Sequence, residues 1–196
     1  ALGAGVTTGG SNIALGVTSM DALTSGKENV ALGINALGAS TTGCRNIALG
    51  TSALGAGVTT GINNIALGTS SMEALTTGIC NVAIGVDTLS AATTGCFNIA
   101  LGFHALGGAV TTGINNIALG TNTMDALTSG IDNVAIGQTS LGASTTGCRN
   151  IAIGRDAMAA GVTTGNANIG IGLSALDALT TGICNVAIGT NALGAS

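Results

Sequence analysis

An all-β parallel solenoid is the fold this sequence predicts, and three observations carry the prediction. The phrase NIALG, or a variant (NVALG, NVAIG, NIAIG, NIGIG), begins at Asn12, Asn29, Asn46, Asn64, Asn81, Asn98, Asn116, Asn133, Asn150, Asn168 and Asn185. Those asparagines are spaced 17, 17 and 18 residues apart in rotation, so three phrases make a 52-residue unit that is itself repeated. Each phrase also holds two glycines at fixed places, with β-branched Ile, Val and Thr at most of the other fixed places. Periods of this size mark solenoids, propellers or arrays. Two glycines per phrase would each cost about 1 kcal/mol inside a helix, whereas β-branched residues favour strands. The expected architecture is a β-helix or β-roll with 17/17/18-residue coils grouped in 52-residue repeats.

Each part of the phrase has an expected place. NIAL alternates like a strand, which puts Ile13 and Leu15 on one face and Ala14 on the other. Ile and Leu are expected inside, together with the Leu or Met that stands eight residues after each Asn. Ser19-Met20-Asp21-Ala22 reads as a shorter second strand. Thr-Thr-Gly reads as a turn whose Gly supplies a positive φ, and the Gly after NIAL as a second corner. With strands about 4.8 Å apart, eleven coils make a rod roughly 50 Å long. Like residues then fall into columns, and the leading asparagines can hydrogen-bond amide to amide along the axis.

The 52-residue unit is visible in the letters. ALGAGVTTG at 1–9 returns unchanged at 53–61, and ALGGAVTTG fills the same slot at 105–113. No composition break interrupts residues 1–196, so the expectation is one repetitive solenoid domain with both ends uncapped. The chain begins in mid-phrase without Met, and reads as a mature product or an excerpt of a longer array.

The second face of NIALG is a column of small residues: Ala14, Ala31, Ala48, Ala66, Ala83, Ala100, Ala118, Ala135, Ala152, Gly170 and Ala187. Parallel strands apolar on both faces are usually covered on both. If Ile and Leu point inward, this column faces outward and is expected to be a subunit interface. A cramped bend and a flat, water-ordering surface are the alternatives.

The pattern NxAxGxxALxxxTTG resembles the short-period fibre repeats of phage tail fibres and bacterial surface proteins. Its NxAxG portion is similar to the repeat in the heads of YadA-type trimeric autotransporter adhesins. The resemblance implies left-handed parallel β-rolls packed three chains around an axis. It spans the entire chain, although the adhesin coils are shorter and no stalk or anchor segment is visible.

Composition excludes several functions. Charged residues are 6% of the chain, against about 25% in ordinary domains. Lys27, Arg45, Arg149 and Arg155 are the whole basic complement, too few for a stripe that tracks phosphates, so no nucleic-acid partner is expected. No apolar run approaches the roughly 20 residues of a membrane span, so no membrane insertion is expected. A composition with 46% hydrophobic residues is not that of a disordered chain.

No catalytic set converges, and the expectation is no enzyme, no cofactor and no metal. The only histidine is His104, which reads as an exposed corner residue. Asp21, Glu73, Asp125 and Asp177 share one slot every 52 residues. Three coils separate them, about 14 Å along the axis, so each reads as a solvated charge. Just before the asparagines, Glu28 falls beside Arg45 and Asp132 beside Arg149, which suggests ion pairs between adjacent coils. In the coil without such a pair, Cys80 falls near Cys96, where a disulfide is plausible. Cys44 and Cys148 occupy the Cys96 slot and read as buried thiols or inter-chain partners. Five cysteines without zinc-ligand spacing favour an oxidising, extracellular setting.

The expected function is structural: an extracellular fibre shaft or filament subunit on a cell surface or virion fibre. Its partner is another copy of itself, with a glycan or surface ligand for an adhesive form. The alternative is an ice- or crystal-surface-binding solenoid.

Overall fold

A computed structural model describes residues 8–57, 59–161 and 164–194. Of the ALGAGVTTG copy at 1–9, only Thr8 and Gly9 fall within that range. The described residues contain no helix. They form eleven strands of three residues each: β1 Ile13–Leu15, β2 Val30–Leu32, β3 Ile47–Leu49, β4 Ile65–Leu67, β5 Val82–Ile84, β6 Ile99–Leu101, β7 Ile117–Leu119, β8 Val134–Ile136, β9 Ile151–Ile153, β10 Ile169–Ile171 and β11 Val186–Ile188. All lie in one sheet in chain order. Every neighbouring pair is parallel and in register, as in Ile99↔Ile117, Ala100↔Ala118 and Leu101↔Leu119. The chain is a β-solenoid of about 17 residues per turn.

The rest of each coil is built from turns. Ser19-Met20-Asp21-Ala22, expected as a short strand, lies within a run of turns over 17–22, and its counterparts in later coils are turns as well. Three residues per phrase have positive φ without being glycine, at 50–61°. In the sixth coil they are Phe97, His104 and Leu106. This left-handed region is uncommon for residues other than Gly, Asn and Asp. Stacking accounts for it. The amides of Phe97 and His104 donate to the preceding coil, at Ile79 O (3.0 Å) and Val86 O (3.0 Å). The amide of Leu106 donates to the following coil, at Thr123 O (2.9 Å). Away from the end coils each left-handed residue turns one N–H along the rod axis, and a backbone group without that bond would be left unpaired.

A substitution tests this reading. Ala167 is exposed, has φ 58° and donates its amide to Cys148 O at 3.0 Å. Ala167→Gly removes the steric penalty of that conformation and is expected to raise stability by about 0.5–1 kcal/mol. Equilibrium urea unfolding followed by circular dichroism measures it. Destabilisation would mean the left-handed residues carry no strain.

The strand faces are the reverse of the expectation. The alanines point inward: Ala31, Ala48, Ala66, Ala83, Ala100, Ala118, Ala135 and Ala152 are fully buried, and Ala14 is partly so. Ile and Leu of the same strands point outward, with Ile99 40% and Leu101 41% exposed at mid-rod. The cross-section explains the reversal. A Cβ built on Gly170 would already sit 3.3 Å from Met158 Cε and 3.2 Å from Ala175 O, across the interior. A methyl group just fits behind the strand, and a branched side chain does not.

The core is therefore narrow. Its columns are the strand alanines, the Leu or Met eight residues after Asn (Met20, Leu37, Leu54, Met72), a small residue before each of these, and Leu23, Leu75 and Leu127 in every third coil. Where the small residue has a hydroxyl, it donates to a backbone carbonyl near the strand end. Thr88 Oγ1 donates to Gly102 O at 2.6 Å and Ser140 Oγ to Ala152 O at 2.9 Å.

The asparagine column forms the expected ladder inside the rod. Asn98 Nδ2 donates to Asn81 Oδ1 (3.2 Å) and to Gly113 O (2.9 Å). Asn98 Oδ1 accepts from Asn116 N (3.0 Å) and Asn116 Nδ2 (3.1 Å). One buried carboxamide thus binds a side chain of the preceding coil and both backbone and side chain of the following one.

The two glycine columns differ in role. The glycines after NIAL have φ 127–140°, the expected corner. The Thr-Thr-Gly glycines do not have positive φ. Close approach demands them instead: a Cβ on Gly26 would lie 2.3 Å from Gly43 O and 2.7 Å from Leu23 Cδ1.

Candidate functional site

The outward reversal of Ile and Leu creates the most prominent surface of the molecule. The first and third residues of every strand, from Ile13 and Leu15 to Val186 and Ile188, are Ile, Val or Leu. They form two parallel aliphatic columns down one uninterrupted sheet. None is fully buried. With a strand spacing of about 4.8 Å the face runs roughly 48 Å along the rod.

Two variable columns flank it. One is the residue before each Asn: Glu28, Arg45, Asn63, Cys80, Phe97, Asn115, Asp132, Arg149, Ala167 and Cys184. The other follows the corner glycine and includes Val17, Ile34, Val86, Phe103, Gln138, Arg155 and Leu173, all exposed. The only two aromatic residues, Phe97 and Phe103, stand on opposite borders of the same strand, β6.

The alanine column Ala14 to Ala187, with Gly170, lines the interior and is no interface. The expectation of a docking surface on this strand passes to the Ile/Leu face, because alternation puts one set out when the other is in.

The expected ion pairs do not form. Glu28 and Arg45 do not close to salt-bridge distance, nor do Asp132 and Arg149; the described pairs are His104–Asp125 and Arg155–Asp156. Arg45 Nε instead donates to Asn63 Oδ1 at 2.8 Å, and Asn115 Nδ2 donates to Asp132 Oδ1 at 3.1 Å. These side chains project into water, where an ion pair is worth about 0–1 kcal/mol, and a neighbouring amide competes on equal terms.

Cys80 and Cys96 are free thiols, as are Cys44, Cys148 and Cys184. The backbone turns the two sulfurs to different partners. Cys96 Sγ accepts from Ile79 N at 3.4 Å and faces Thr94 O at 3.3 Å, while Cys80 Sγ faces Asn63 Nδ2 at 4.0 Å. Cys44 and Cys148 are half-buried, their sulfurs on Thr42 O and Thr146 O.

His104 is more constrained than a free corner residue. Its Nδ1 lies 2.8 Å from Asp125 Oδ1 in the next coil. The approach is an electrostatic contact short of hydrogen-bond alignment, and leaves Oδ1 without an aligned donor. The imidazole also lies beside the Phe103 ring, with centroids 5.9 Å apart. In the Asp125 slot, Asp177 Oδ1 accepts from Ala160 N at 2.9 Å. Among the described residues no three His, Cys, Asp or Glu side chains converge on a metal position, and no cleft opens.

The geometry defines a class: a parallel β-solenoid with one exposed aliphatic sheet face. Compared with known proteins, the chain matches no family model, no curated sequence and no solved structure.

Proposed function

We propose that this protein is a structural rod, an extracellular fibre shaft or filament subunit, whose copies pack side by side through the Ile/Leu face. The supporting observation is that face, two aliphatic columns that run over eleven strands and are half-buried to exposed throughout. A strip about 48 Å by roughly 12 Å gives on the order of 600 Å² per copy, at the upper end of the largest patch on a monomer. Two copies would together bury about 1,200 Å², the lower bound of stable interfaces. At about 25 cal/mol per Å² each copy gains on the order of 15 kcal/mol of gross driving force, before the costs of association. A second copy is the partner that fits. It repeats the same rise at every level, and its face carries no charge to desolvate.

The test is light scattering with electron microscopy. The wild-type chain is expected to form oligomeric rods at micromolar concentration. The double variant Leu49→Lys/Leu101→Lys is expected to be monomeric with an unchanged circular dichroism spectrum. A monomeric wild type sinks the reading.

A narrower observation favours surface binding to ice or a crystal. The second Thr of Thr-Thr-Gly is exposed in successive coils, as in Thr42, Thr60, Thr77 and Thr94. In several coils the first Thr turns its hydroxyl to a backbone carbonyl, as in Thr76 Oγ1 to Thr93 O at 2.9 Å. A freezing-point gap in dilute wild-type protein would favour this function over the fibre.

A further inference from the structure

The aliphatic face can hold copies together but cannot tell them where to stop. Ile or Val recurs at every first strand position, and Leu or Ile at every third. Sliding one copy along another by a coil restores nearly the same contacts. Stacks of like side chains specify register weakly for this reason. Whatever fixes the offset must differ from coil to coil, and only the two border columns do.

In the column before the asparagines most residues are themselves repeated. Arg45 recurs as Arg149 and Cys80 as Cys184, each 104 residues later, and Glu28 has Asp132 as its acidic counterpart. A shift of six coils would therefore leave that column largely matched, whereas the column after the corner glycine does not repeat, Ile34 falling on Gln138 and Thr51 on Arg155. Among the border residues that do not recur, the phenylalanines alone are aromatic. Phe97 and Phe103 are the only two aromatic residues in the chain, and both flank β6. Each is 53% exposed, so both rings stand proud of the surface on either side of Ile99 and Leu101. Phe103 lies beside the His104 imidazole, which is 2.8 Å from the Asp125 carboxylate of the next coil.

We propose that Phe97 and Phe103 set the axial register in which copies of this chain pack. The proposal rests on self-packing through the Ile/Leu face. Only one offset brings phenylalanine level with phenylalanine across the seam between two copies, whichever way the neighbour runs. At any other offset each ring meets a smaller or polar border residue such as Thr121 or Asn115 and stays partly wet. Large apolar rings at a contact prefer full desolvation and one another's company. The aliphatic columns supply adhesion, and the one aromatic level supplies position.

The experiment reads register directly. Benzoylphenylalanine is placed at Thr51, an exposed border position three coils from the rings, and its inter-copy crosslinks are mapped by mass spectrometry on mixed isotope-labelled protein. With both phenylalanines present, crosslinks are expected to centre on one level of the neighbour. In Phe97→Thr/Phe103→Thr they are expected to spread over levels whole coils apart, with oligomer mass and circular dichroism unchanged. A single level in the double variant overturns the register role and leaves self-packing intact, as do crosslinks already spread in the parent. A monomeric parent overturns self-packing itself.

Discussion

Gly85→Ala is expected to lower stability by about 4 kcal/mol and to split unfolding into two steps. Gly85 has φ 136°, where a side chain is strained by about 1–3 kcal/mol before it touches anything. The added Cβ would lie 2.4 Å from Gly102 O and 2.8 Å from both Gly102 C and Thr88 Oγ1. Two of those atoms are backbone of the next coil and cannot step aside, so the clash opens the contact between β5 and β6. In a linear array each unit is held only by its neighbours. Weakening one contact therefore uncouples the halves on either side. Urea unfolding followed by circular dichroism should show two transitions. The control is Gly10→Ala, whose Cβ would meet nothing within 4 Å, and which should stay within about 0.5 kcal/mol of wild type. A single unshifted transition for Gly85→Ala would show that this corner is not held as described.

Asn98→Ala is expected to cost about 3 kcal/mol. The carboxamide is fully buried. Its loss leaves Asn116 N without its acceptor and Gly113 O without the donor described above. Each buried group so abandoned is worth about 1–3 kcal/mol. Asn81 Oδ1 suffers less, because Asn98 N still donates to it at 3.0 Å. Asn98→Asp separates hydrogen bonding from shape. It keeps an acceptor for Asn116 N but aims a second carboxylate oxygen at two acceptors. It should therefore lose more than Ala at neutral pH, and recover part of the loss in acid as protonation removes the buried charge and restores a donor. Thermal unfolding at two pH values checks the sign. Equal stability of all three chains would mean the ladder is ornamental.

The two results bear on what each fixed letter does. Asn and both glycines were legible as invariant features of every phrase, and so was their column-forming arrangement. The role of the Thr-Thr-Gly glycine was not, because a close approach such as that of Gly43 O to Gly26 involves another coil and leaves no local trace. The left-handed residues were equally hidden. Leu106 and Arg149 have no intrinsic preference for positive φ, and adopt it because their amides must reach a neighbour. The ion pairs and the disulfide failed for a related reason. Adjacency in a column fixes the level of Glu28 and Arg45, or of Cys80 and Cys96, but the backbone dihedral decides where each side chain leaves the coil.

The sequence by itself determined the solenoid, its coil length, the parallel in-register sheet and an amide ladder along the axis. All of these follow from a period that stacks like on like. Only the tertiary structure decided which strand face is inside. Alternation in NIALG separates Ala from Ile and Leu but carries no sign, and hydrophobicity alone points the larger residues inward. The bore of the coil reverses that choice: with Leu or Met already filling it from the opposite wall, there is room behind the strand for a methyl group and nothing larger. The aliphatic face is left outside as a result.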